Sequence, residues 1–126
     1  MENRSQDAVA AHDPSSVLSK AVARAAERMG ISRAALAKIL GVSAATVTRL
    51  YKGEYKLDEL RKEWEVALML VRVFRSLDSI VGKEQTARQW LTSQNRQLNG
   101  RPVELLQQAQ GLVRVVHHLD ASRSLV

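Results

Sequence analysis

Residues 31–52, ISRAALAKILGVSAATVTRLYK, restrict the fold more than any other stretch, because they spell two short helices and the turn between them. Ser32 can cap the first helix, with Ile31 before the cap and Leu36 at the fourth helical position, the hydrophobic staple that fixes how a chain enters a helix. Val42, Ser43 and Val47 repeat the arrangement for the second helix. Gly41 lies between them, where the first helix must end in a left-handed residue that glycine adopts without strain. Leu36, Ile39 and Leu40 give the first helix an apolar face, and Val47 and Leu50 give one to the second. Ala37 is small where the two axes must approach. The order Ala37, Gly41, Val47 is the spacing of a helix-turn-helix. Two ordinary core helices would share the alanine and the glycine, but not both caps together with both apolar faces.

A two-helix unit has too little core to stand alone, so the rest of the chain must cover its back. The 126 residues, 45% hydrophobic and poor in Gly and Pro, suit one helical domain or two small ones. Residues 1–12 have no strong period and read as a loose tail. Asp13-Pro14 reads as an N-cap followed by proline at the first helical position. Val17, Leu18, Ala21, Val22, Ala25 and Met29 then recur at helical spacing until Gly30. This helix would complete a helix-turn-helix region over 13–56.

A long helical pattern runs from Leu57 to Val81, ended by Gly82. Leu60, Trp64, Ala67, Val71 and Phe74 form one apolar stripe, and Val66, Leu70, Val73, Leu77 and Ile80 a second, roughly 100° around the helix. Only the arc of Arg61, Glu65, Arg72 and Ser76 is polar. One stripe can serve the N-terminal helices; the other must pack on the C-terminal half or on a second copy, so 57–82 reads as a connecting and dimerisation helix, and a homodimer is expected. A shorter helix over 83–92 carries Ala87, Trp90 and Leu91, and Asn99-Gly100 marks a turn. Pro102 opens a helix with Leu105, Leu106 and Ala109 on its apolar face and Gly111 as its stop; Val115, Val116 and Leu119 carry the last one. Asp120 to Val126 has no apolar period, and its expected course is beyond the folded part. No strand signal is present, and the expected fold is all-α.

The net charge is +6 and the isoelectric point about 10.2, which suits an anionic partner. The charges are spread over both halves, however, so charge alone locates no face. There is no cysteine, which excludes disulfides and thiolate metal sites. No apolar run reaches membrane-spanning length and the N-terminus has no h-region, so the expectation is a cytoplasmic protein with no membrane partner. His117 and His118 are adjacent and diverge by about 100° on a helix, so they cannot share a metal. Glu63 and Glu65 are likewise splayed and read as solvated. Catalytic elbows, phosphate-cradling glycine loops and zinc-binding helix motifs are missing. Trp64 and Trp90 sit at core spacing rather than on a base-stacking surface. The expectation is no enzyme, no cofactor and no metal.

DNA binding is the reading with residue-level content. In a helix-turn-helix the second helix enters the major groove by its N-terminal half. Ala44, Ala45, Thr48, Arg49 and Lys52 face away from Val47 and Leu50. Arg49 can grip guanine O6 and N7, and the alanines and the Thr48 methyl can meet thymine methyls. Ser43 and Thr46, with Ser32 and Arg33 at the start of the preceding helix, can bond phosphate.

Through about residue 56 the chain resembles the helix-turn-helix of Xre-type regulators. Residues 87–119, ARQWLTSQNRQLNGRPVELLQQAQGLVRVVHHL, resemble the toxin-binding domain of Xre/MbcA/ParS antitoxins. The matching positions are Ala87, Trp90-Leu91, Asn95, Leu98, Gly100, Pro102, Leu105-Leu106, Gly111 and Val115. Ser93-Gln94 stands where a Thr-Pro often precedes the Asn, and the Gly–Pro spacing is one residue short. The resemblance implies a toxin-binding domain over 83–126 and an antitoxin that silences a RES-domain, NAD⁺-degrading toxin and represses its own operon by binding operator DNA. It also implies that the C-terminal domain docks over the toxin's active site; the contact is expected to combine the surface around Asn95, Arg96 and Arg101 with the terminal Ser122, Arg123, Ser124, Leu125 and Val126, whose closing apolar pair is poorly suited to a free solvated tail. A frayed end is the other reading of that terminus. Two further functions stay open: a repressor whose second half only dimerises, and an interaction module whose helix-turn-helix no longer binds DNA.

Overall fold

The structure is a computed structural model and describes residues 13–124. The readings made for residues 1–12 and for Leu125 and Val126 lie outside the described residues. Seven helices follow one another among the described residues: α1 (Pro14–Arg28), α2 (Arg33–Leu40), α3 (Ala44–Lys52), α4 (Lys62–Val81), α5 (Glu84–Thr92), α6 (Pro102–Leu105) and α7 (Ala109–Ser124). No strand is present among them, only one isolated antiparallel bridge between Asn95 and Gly100. The all-α expectation holds.

The helix-turn-helix forms as its residues dictate. The Ser32 hydroxyl accepts the Ala35 N–H at 3.0 Å and the Ser43 hydroxyl accepts the Thr46 N–H at 3.0 Å, each satisfying an N–H that the first helical turn leaves unpaired. Gly41 closes α2 at φ 72°, and its N–H and that of Val42 both return to the Ala37 carbonyl. Leu36 and Val47 are fully buried, as are Val22 and Ala26 of α1 behind them.

The central helix α4 packs on α1 and α2 and on α7. Leu70, Val73 and Leu77 of the second stripe are buried to within 1% of their surface, and enclosing a side chain of this size contributes about 1.5–3 kcal/mol. That stripe is therefore occupied within the chain, apart from its ends, the half-buried Val66 and the exposed Ile80. On the first stripe, Ala67 and Val71 are buried, and Trp64 and Val71 border an open cleft shared with Val17, Leu18 and Ala21 of α1.

Four expectations are corrected. The long helix begins at Lys62, five residues later than its period suggested. Leu57 is buried outside any helix and its N–H donates to the buried Ser19 hydroxyl at 2.9 Å, while Asp58 turns the chain by accepting the Leu60 N–H. Leu60 is consequently 96% exposed and belongs to no stripe. Glu63 is buried rather than solvated, because its carboxylate accepts the Tyr55 hydroxyl at 2.7 Å and the Asp58 N–H at 3.1 Å. Gly111 stops no helix; it lies in the first turn of α7, where a methyl group would sit 2.2 Å from the Leu105 carbonyl oxygen. The last helix runs on through Ser124 instead of ending near Leu119. Asp120 forms an ion pair with Arg72, and Arg123 donates to the buried Ser76 hydroxyl at 3.2 Å, so the polar arc of α4 receives the end of α7.

Candidate functional site

Two surfaces carry the polar side chains singled out in the sequence, one at each end of the chain. The first is the outer edge of α3 with the start of α2. Ser32, Arg33, Ser43, Ala44, Ala45, Arg49 and Lys52 are exposed; Thr46 and Thr48 are half-buried. The helix-turn-helix thus brings all nine residues to the two N-terminal turns and one solvent-facing edge. The Thr48 hydroxyl turns back to the Ala44 carbonyl at 3.2 Å.

The arginines on this edge are supported from behind. Arg33 lies with its guanidinium carbon 4.6 Å from the Tyr51 ring centroid, and Arg49 lies 5.9 Å from that of Tyr55. Such contacts stabilise by about 0.5–1 kcal/mol at exposed sites. Arg49 also donates to the Thr46 hydroxyl at 3.4 Å, and the Thr46 and Ser43 hydroxyls share a hydrogen bond at 2.8 Å. Tyr55 in turn donates to Glu63, and burial together with that bond pushes its phenol up to about 12, so it remains a donor at neutral pH. A chain of contacts therefore runs from Glu63 through Tyr55 and Arg49 to Ser43. Sequence reasoning missed Tyr55 and Glu63, because nothing in their spacing announces a turn that folds residue 63 under residue 55.

The second surface belongs to the C-terminal half. Asn95 and Gly100 exchange backbone bonds at 2.9 and 3.2 Å, and the Asn95 side chain accepts the Leu98 N–H at 3.0 Å. Asn99 takes the left-handed conformation at φ 55°, which asparagine tolerates better than most residues. Asn95 thus shapes the loop. Arg96 and Arg101 are exposed on it, Arg101 being 3.9 Å from Glu104. Arg114 of α7 donates to the Leu98 carbonyl at 2.7 Å and ties the loop to the last helix.

The end of α7 is not beside that loop. Ten residues separate Arg114 from Ser124, about 15 Å of helix. Ser122 donates to the His118 carbonyl at 3.0 Å and Arg123 to Ser76. His118 also stacks on Trp90, with centroids 6.0 Å apart. Trp90 is accordingly half-buried rather than enclosed.

The two halves are joined by a contact that sequence reasoning did not find. Arg88 of α5 donates to the carbonyls of Arg28 at 3.1 Å and Glu27 at 3.0 Å at the end of α1, the Glu27 carbonyl also accepting the Gly30 N–H at 3.0 Å. Its aliphatic stem passes 3.1 Å from where a side chain on Gly30 would begin. Arg28 and Glu84 add an ion pair at 3.8 Å. Among the described residues no group of His, Asp and Glu could hold a metal, and no helix is long and apolar enough to cross a membrane.

Residues 8–72 match the family described as the antitoxin Xre-like helix-turn-helix domain. Residues 76–124 match the antitoxin Xre/MbcA/ParS C-terminal toxin-binding domain. Among solved structures the chain is similar to one in the crystal structure of the M. tuberculosis MbcT–MbcA toxin–antitoxin complex, with 26% identity, a TM-score of 0.67 and coverage of 87% of this chain and 96% of that one. No curated protein matches the sequence. With a helix-turn-helix DNA-binding domain at one end and a toxin-binding domain at the other, the chain belongs to the Xre-like antitoxins of toxin–antitoxin systems.

Proposed function

We propose that the chain silences a RES-domain toxin that degrades NAD⁺, and that it represses its own operon through α3. The observation that carries this reading is the pairing, in one chain, of a fully capped helix-turn-helix with a toxin-binding domain. The RES assignment rests on the resemblance of residues 87–119 to the domain that accompanies such toxins. In this account Arg49 reads a guanine, Ala44, Ala45 and Thr48 meet neighbouring bases, and Ser32, Arg33, Ser43, Thr46 and Lys52 hold phosphates. Asn95 sets the loop that offers Arg96 and Arg101 to the toxin. Ser122 and Arg123, near the end of α7, would add a second contact, and the terminal Ser124, Leu125 and Val126 are assigned to it from the sequence alone. Inhibition is steric, and the working division is 13–56 for DNA, 57–82 as connector and 83–126 for the toxin, in the cytoplasm.

A homodimer fits this function, since two recognition helices about one DNA turn apart read a palindrome. Its contact would use the cleft between α1 and α4, where Val17 is 51% and Leu68 44% exposed, because the 66–80 stripe is occupied within the chain.

The test is NAD⁺ loss by a RES-type toxin co-expressed and co-purified with this chain. The full chain should hold the toxin stoichiometrically and stop NAD⁺ loss. Removing residues 122–126 should restore NAD⁺ loss while the complex still forms through the loop around Asn95. Full inhibition by the shortened chain would assign the block to the loop surface alone. Failure of the full chain to retain any such toxin would leave a stand-alone repressor.

A further inference from the structure

The cations that look scattered along the sequence are partly gathered by the fold. A concavity of about 320 Å³ opens between α1 and the end of α3. Lys20 and Arg24 line it from α1, and Lys52 lines it from the last turn of α3. All three are exposed, and among the described residues none has a carboxylate within ion-pair distance. Lys20 and Arg24 are one turn apart on the same face, about 5–6 Å between their β-carbons. Ala23 and Gly53 also line it, and no atom stands within 4 Å of where a Gly53 side chain would begin, so a large partner can approach closely. Glu27, one turn after Arg24, is the acid of this concavity, and burial together with its carboxylate raises the Tyr51 phenol.

We propose that this flank is a second grip on the DNA backbone, in which Lys20 and Arg24 of α1 neutralise phosphates beside those met by Lys52. Lys52 belongs both to the solvent-facing edge of α3 and to the concavity, so the two surfaces are continuous. Three exposed cations without carboxylate partners, carried on two helices beside the DNA-facing edge of α3, suit a run of phosphates. Their neighbours Lys56 and Arg28 have carboxylate partners, Asp13 at 3.6 Å and Glu84 at 3.8 Å, which sets this trio apart. Phosphate contacts carry no base information, so the contribution is to affinity and register and not to sequence choice.

The inference rests on the DNA-binding reading, and the experiment separates the two. Affinity of the full chain is measured by fluorescence anisotropy for a duplex from its own upstream region and for an unrelated duplex, across a range of salt. Lys20→Gln/Arg24→Gln should weaken binding to both duplexes by the same factor and reduce the slope of log K against log salt by about two. Lys62→Gln/Lys83→Gln, with the same change in net charge at exposed positions elsewhere, should leave the slope near that of the wild type. An unchanged slope in the first variant, an equal loss in the second, or a loss confined to one duplex overturns the proposal. A wild-type chain that binds neither duplex overturns the DNA reading itself, and this inference with it.

Discussion

The two halves of this antitoxin are held together by different kinds of bond. In the helix-turn-helix, each helix end is closed by a residue next to it in sequence: Ser32 and Ser43 at the starts, Gly41 and Gly53 at the ends. In the C-terminal half the helices and loop are tied by arginines reaching across the fold. Arg88 caps α1 from 60 residues away, Arg114 holds the Leu98 carbonyl, Arg123 reaches Ser76, and Arg72 meets Asp120. The first half offers a preformed reading edge whose geometry is settled locally. The second is a surface assembled around a loop, and its shape depends on contacts made far along the chain.

The largest expected effect separates an enclosed face of the connecting helix from an open one. Val73→Glu buries a charge at a position with no exposed surface, and destabilisation above about 4 kcal/mol should leave the chain unfolded in a thermal melt followed by circular dichroism. Leu68→Glu, at a position 44% exposed, should keep the helical melt and lower the molar mass by light scattering if the α1–α4 cleft joins two copies. A folded Val73→Glu monomer would return the second stripe to the role of an interface.

Next is the close approach that shapes the C-terminal half. Gly111→Ala sets a methyl group against the Leu105 carbonyl and should cost about 1–3 kcal/mol in denaturant unfolding, while disturbing toxin retention more than DNA binding. Smaller still is the contrast between a local cap and a remote one. Ser43→Ala and Arg88→Ala should each cost about 1 kcal/mol. Hydrogen exchange should show the first loosening α3 alone and the second loosening both the end of α1 and α5. Equal, local effects from the two substitutions would remove the distinction between the halves.

The same distinction explains what the sequence could tell. Both caps, both staples and the left-handed Gly41 were legible because every partner lies within six residues. The two stripes of α4 were legible as a period, but the burial of Leu57 outside a helix was not, since it depends on a hydroxyl from Ser19, 38 residues away. Gly111 reads as a helix stop because glycine ends helices far more often than it admits a neighbouring carbonyl. Glu63 reads as solvated because Tyr55 and the Asp58 N–H come to it only after the chain has turned at 57–61. The end of α7 carries no apolar period, and polar bonds from Asp120 and Arg123 hold it instead. The DNA edge was readable residue by residue, whereas its tyrosine backing and the Lys20–Arg24 flank needed the fold.

The most direct test of the central account, one chain with two separable surfaces, is the operator affinity of the purified toxin complex carrying Arg49→Ala. The account predicts that toxin is retained stoichiometrically while binding to the upstream duplex falls by about 1–3 kcal/mol and one base position becomes degenerate. Unchanged operator affinity, or loss of the toxin from the complex, would contradict it.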